Sequence, residues 1–239
     1  SKDVLINVYS ISEKNMFYAP FEAGASLFKM NLEKYENDKA NVRNYLNIGD
    51  EVIFLFVGNL HPFKGVSDII KAAGRMPRDS SYICVFAGPE EPRNKIGGTI
   101  EYYMKLAKDM GVEKNLRFTG VLPHEKLSAL YWASDTVILP TYRDMFPKVL
   151  VEGALASKPL ITTSACGAAG AMVIDGDNGF IVEPGNIDSL VDAMSSLLDK
   201  GLREKMGQRS LDIVSGFCDK EAETRGFVSV IQKTYLEQI

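Results

Sequence analysis

From Glu51 onward the chain alternates between short apolar runs, most of them ended by glycine or proline, and longer stretches with helical spacing. The runs are Val52–Val57, Tyr82–Ala87, Leu116–Thr119, Thr136–Pro140, Leu160–Thr163 and Gly179–Val182. Between them the spacing predicts helices at Val66–Arg75, Thr99–Met110, His124–Ala133, Pro147–Ser157 and Ala168–Val173. Three more follow at Ile187–Leu198, Leu202–Gly216 and Lys220–Gln238. Strand and helix in alternation call for a parallel sheet covered by its own crossovers. The expected fold is α/β: a Rossmann-like, doubly wound parallel sheet of about six strands over residues 51–218, within the usual domain size.

Residues 1–50 stand outside that pattern. They hold one apolar run, Val4–Val8, then Tyr18–Ala19–Pro20–Phe21 and a polar, partly helical Asn31–Asn47 before the turn at Gly49–Asp50. This is too little to build a second core, so 1–50 is expected to be a linker with the remnant of an N-terminal lobe. Ser1 in the first position points to an excised or processed piece. Residues 219–239 are expected to form a C-terminal helix that reaches out to cover a missing lobe.

Charge and composition remove several classes of function. A net charge of −4, with no block of like charges, opposes a mainly electrostatic nucleic-acid role. No apolar run approaches the roughly 18 to 20 residues of a membrane span. The three cysteines, Cys84, Cys166 and Cys218, are far apart and lack zinc-site spacing, which fits a reducing compartment.

In a doubly wound sheet, ligands bind beyond the carboxyl ends of the strands. Two loops there carry chemistry. The first is Gly58–Asn59–Leu60–His61–Pro62–Phe63–Lys64–Gly65. Gly58 allows close backbone approach, and Lys64 adds a cation to a helix start whose amides already favour anions. A solvated lysine beside a turn glycine fits the same letters.

The second loop, Thr141–Tyr142–Arg143–Asp144–Met145–Phe146, runs into Pro147, a residue suited to the first helical position. Asp144 either complements the helix macrodipole or meets a ligand. Glu152 is the only charge between Val149 and Ala156. A carboxylate in so apolar a helix needs a partner or a wet cleft, because unpaired burial costs several kcal/mol. It therefore pairs internally, faces a ligand, or lies at the surface. His124 reads as a helix start, His61 as a neighbour of the anion loop, and Tyr131 and Trp132 as core.

Gly58–Gly65, Asp144–Glu152, Pro159–Leu160–Ile161–Thr162 and the run from Asp175 to Asn186, in this order, resemble the C-terminal lobe of glycosyltransferase family four. Those are retaining enzymes of the GT-B architecture. The likeness covers about residues 51–236, and Tyr18–Phe28 resembles the interdomain linker. In that family two acids eight positions apart contact the donor, the spacing here of Asp144 and Glu152. The resemblance implies a nucleoside-diphosphate sugar as donor substrate, with no other cofactor and no metal. It sets Lys64 and Asp144 at the chemistry: Lys64 as the diphosphate clamp and Asp144 beside the transferred sugar. It lays Gly58 and Asn59 with Met145, Phe146, Pro147, Lys148, Val149 and Leu150 along the donor, and gives Glu152 the ribose hydroxyls. Asn59 departs from the family, which commonly has arginine there; Arg143, Lys148 or His61 are the nearby cations that could compensate.

The function implied is the nucleotide-sugar-binding lobe of a retaining glycosyltransferase, moving a sugar to an acceptor hydroxyl. Its acceptor site and catalytic base belong to the missing N-terminal lobe, in cis or as a separate subunit. Expected partners are the nucleotide-sugar and that lobe, without nucleic acid. The expected location is cytoplasmic, with membrane contact only through the missing lobe or the acceptor. The rivals are a non-catalytic lobe that binds nucleotide-sugar or a protein partner, a GT-B epimerase or phosphorylase lobe, and a dinucleotide dehydrogenase. The last lacks its fingerprint glycines, since the stretch from Gly167 to Gly170 does not match them.

Overall fold

Six parallel strands form one sheet in the order β3-β2-β1-β4-β5-β6. They are β1 Val52–Val57, β2 Tyr82–Ala87, β3 Leu116–Gly120, β4 Thr136–Leu139, β5 Leu160–Thr163 and β6 Gly179–Val182. The computed structural model describes residues 38–92, 97–217 and 220–236, with Ser12, Phe28, Leu32 and Lys34. The Val4–Val8 run, the linker-like 18–27 and Cys218 lie outside the described residues.

Helices α1 Lys39–Tyr45, α2 Val66–Ala73, α3 Ile100–Asp109, α4 His124–Ala133, α5 Lys148–Leu155, α6 Ile187–Ser196, α7 Lys200–Phe217 and α8 Lys220–Leu236 connect and flank the strands. In α2 the buried Val66, Ile69, Ile70 and Ala73 form one helical face. Thr99 caps α3 by accepting from the Tyr102 amide at 3.2 Å, and Asn186 caps α6 through Ser189 at 3.1 Å. Strand β2 is buried at every position, as a strand covered on both faces must be. Helix α2 packs on α3 and α6, α4 on α1, and α5 on α7. Phe28, Leu32 and Ile48 join the same core as the strands, so part of the segment before residue 51 packs with the sheet.

One expected helix is absent. Residues 168–173 form turns and an isolated bridge, Ala169 to Val173. The amides of Ala171, Met172 and Val173 all converge on Ala168 O, while Gly170 takes φ 72° and turns its own N–H back to Val173 O. One closed turn therefore forms and cannot propagate. Helix α5 also starts one residue later than expected, with Pro147 at the N-cap.

The amino edge of the sheet is held by cations. Arg43 donates to Gly49 O, Glu51 O and, from the end of α4, Ala133 O, at 2.9, 2.5 and 2.8 Å. Its guanidinium also lies 3.5 Å from Asp135, whose carboxylate accepts from the Ile53 amide. Arg203 donates to Leu197 O and Leu198 O beyond α6, and Lys158 to Trp132 O. Cations on the last carbonyls of helices complement the macrodipole. Burial, with Lys39, Arg43 and Arg203 nearby, pushes the Lys158 ammonium down to about 8.

Candidate functional site

The strand order reverses between β1 and β4, which opens a crevice at the carboxyl edge. The two loops with chemistry flank it and are tied together. Phe63 O accepts from the Tyr142 amide at 2.7 Å and from Thr141 Oγ1 at 3.1 Å. Gly65, at φ 79°, lies so close to β4 that a Cβ there would sit 2.1 Å from Pro140 O. Only glycine fits, and the fit brings Lys64 over the second loop.

Lys64 Nζ donates to Asp144 Oδ2 at 2.5 Å, both side chains being about one fifth exposed at 22% and 16%. Phe63, Lys64, Arg143, Asp144 and Met145 line an open cleft of about 530 Å³. The cation expected at the diphosphate is thus held by the acid expected beside the transferred sugar. Below the cleft, Gly167 donates to Asp144 O at 2.8 Å, and a side chain at 167 would strike Met145 O. This seat for the acid was not legible in the sequence, where Gly167 matched no motif.

The remaining residues separate. Phe146 and Val149 pack against the core, Leu150 is fully buried, and the Leu150 amide is occupied by Pro147 O at 3.2 Å. Lys148 is exposed at the start of α5, where the first amides have no intrahelical acceptor. Gly58 and Asn59 are half-buried in the first loop, which is stitched to the β2 loop through Gly58 N to Ala87 O and Leu60 N to Pro89 O. His61 caps the short 3₁₀ turn Pro62–Lys64, accepting from Phe63 N, and its ring lies 3.8 Å from that of Phe63. Arg143 is therefore the compensating candidate that shares the cleft with Lys64.

Glu152 has an internal partner. Its Oε2 accepts from the Tyr131 hydroxyl at 2.7 Å. Burial raises its pKa, against the opposing pull of that hydrogen bond and of His124 and Lys148. Tyr131 is core, as expected, but its hydroxyl end serves the one carboxylate of α5. Asp68 is a further acid that sequence reasoning passed over. It is buried in the first turn of α2 near the Tyr142 hydroxyl, and burial raises its pKa.

Among the described residues no helix is long and apolar enough to cross a membrane. Residues 38–212 match the family described as glycosyl transferases group 1. The D-inositol 3-phosphate glycosyltransferase of Corynebacterium glutamicum is 31% identical over 184 residues, covering 74% of this chain and 43% of that protein. That of Corynebacterium efficiens is 30% identical over 189 residues, covering 76% and 43%. The chain spans less than half the length of these relatives. Among solved structures, HepE from Anabaena in complex with UDP superposes with a TM-score of 0.75 at 21% identity, over 82% of this chain and 53% of that one. The C-terminal domain of a group 1 glycosyl transferase from Francisella tularensis matches with a TM-score of 0.64 at 24% identity, over 74% of this chain and 91% of that domain.

Proposed function

Since this chain belongs to the glycosyl transferases group 1 family, we propose that it is the donor-binding lobe of a retaining glycosyltransferase, moving a sugar from a nucleoside diphosphate to an acceptor hydroxyl. The observation that carries this reading is the Lys64–Asp144 pair at the switch-point cleft, with Asp144 eight residues ahead of a half-buried Glu152. In the proposal the diphosphate lies at the start of α5 and takes Lys64 from Asp144. Asp144 then meets the sugar. Glu152, four residues into the helix from Lys148 and so about 6 Å along it, meets the ribose.

As the bond to the sugar breaks, negative charge grows on the leaving diphosphate. Lys64 and the helix amides are placed to stabilise it. The base and the acceptor site are assigned to the N-terminal lobe. Helix α8 supports such a partner, because Phe227, Ile231 and Tyr235 recur at four-residue spacing and are exposed by 57%, 65% and 68%. We place 219–239 against that lobe, 51–218 as the donor domain, and 1–50 as the connection, with α1 already docked on the donor domain. Membrane contact is assigned only to the missing lobe or the acceptor, and the location to the cytoplasm.

HepE was solved with UDP and with UDP-glucose, which makes uridine nucleotides the first to test. Calorimetry of the 239-residue chain with UDP, GDP, ADP and their glucose conjugates should give binding by one base class and no turnover. Adding the N-terminal lobe should start transfer with retention at the anomeric carbon. Absence of binding by every nucleotide sinks the proposal, and inversion sinks the retaining mechanism. Asn59 favours one second reading, a non-catalytic lobe: binding without transfer when both lobes are present would select it.

A further inference from the structure

Tyr131 is fully buried, and its ring meets Phe28 edge-on with centroids 5.2 Å apart. A phenol hydroxyl sunk in such a core is costly unless it is hydrogen-bonded, and its single proton has one best acceptor. Here that acceptor is Glu152 Oε2 at 2.7 Å, with the Val149 carbonyl a distant second at 3.4 Å. The hydroxyl comes from α4 and the carboxylate from α5, so the bond locks a side chain that the apolar surface of α5 would otherwise leave free to rotate. Among the described residues, Oε1 carries no hydrogen bond.

We infer that Tyr131 is a positioning residue that pins Oε2 of Glu152 and aims Oε1 at the ribose, so that the Tyr131–Glu152 pair distinguishes a ribonucleotide from its 2′-deoxy counterpart. This rests on the ribose assignment of the proposed function and adds a residue to it. A pinned carboxylate offers one oxygen, already oriented, to a hydroxyl donor. An unpinned one must give up side-chain freedom on binding and is free to turn away.

The test compares UDP, ADP and GDP with dUDP, dADP and dGDP by calorimetry on the whole chain. For the nucleotide that binds, the parent should hold the ribo form tighter by about tenfold or more, the scale of one charge-assisted hydrogen bond. Glu152→Gln should bring the ratio to about threefold or less. Tyr131→Phe, which keeps the ring and its packing, should also lower the ratio, to a value between the two. A ratio that survives Tyr131→Phe but falls in Glu152→Gln overturns the inference and leaves the ribose assignment standing. A ratio that survives Glu152→Gln overturns both, as does absence of binding. Should Tyr131→Phe not fold, the parent labelled with 3-fluorotyrosine decides by fluorine NMR. The Tyr131 resonance should move more with the ribo than with the 2′-deoxy form, and equal movement overturns the inference.

Discussion

The two edges of the sheet both gather cations, and they treat them in opposite ways. At the amino edge Arg43 is held by three backbone carbonyls and Asp135, and Arg203 donates to two carbonyls. These charges close helix ends and join α1 to the sheet. At the carboxyl edge, among the described residues, Lys64 has one close side-chain partner, Asp144, in an open cleft. An ammonium with a single exchangeable partner is ready to bind something else; a guanidinium spread over several carbonyls is part of the frame. The site is set apart by how little of its cation's bonding capacity the fold consumes.

The largest effect that would break this contrast is at the amino edge. Arg43→Met removes the donor to Ala133 O and Glu51 O and a cation beside Asp135, and should lower unfolding free energy by about 2–4 kcal/mol while leaving nucleotide affinity unchanged. Urea denaturation beside calorimetry checks it; affinity lost without stability would mean that the edge is not frame alone. Lys64→Ala is its mirror image. It should weaken nucleoside diphosphate binding by about 1.5–3 kcal/mol, with a thermal midpoint close to the parent's. Unchanged affinity would place the anion elsewhere.

Glu152 sharpens the comparison through pH. Because burial raises its folded pKa above the ordinary glutamate value, between the two pKa values the native state keeps a proton that the unfolded chain has released. Stability from this group is fully present below the unfolded pKa and falls as pH rises through the raised folded one. Glu152→Gln keeps an acceptor for Tyr131 and should lack that slope, so its stability relative to the parent should rise with pH through the raised folded pKa. Denaturation midpoints from acid to neutral pH are the measurement, and marked loss of stability in the variant would make Glu152 part of the frame. The smallest effect is at the latch: Asp144→Asn removes the competitor for Lys64 and should tighten UDP binding by about 0.5–1 kcal/mol. UDP-glucose, which the proposal has Asp144 holding by its sugar, should not share the gain. Weaker UDP binding would show that Asp144 assists the anion and does not compete for the lysine.

Much of this molecule was legible along the chain. The six strands and the two loops at the switch point follow from apolar runs and the glycines and prolines that punctuate them. Burial on both sheet faces leaves such runs one stable use. The spacing of Asp144 and Glu152 is likewise a local fact. What only the tertiary structure decided is which side chain meets which. Lys64 finds Asp144 across 80 positions, Arg43 finds Ala133 across 90, and Tyr131 reaches Glu152 across 21. Even the failed helix at 168–173 belongs here, since Gly167 is seated under Met145 and its neighbours turn to follow. Periodicity reports which face of an element is apolar. The strand order sets which elements adjoin, and close packing then selects the partner of each polar atom they bury.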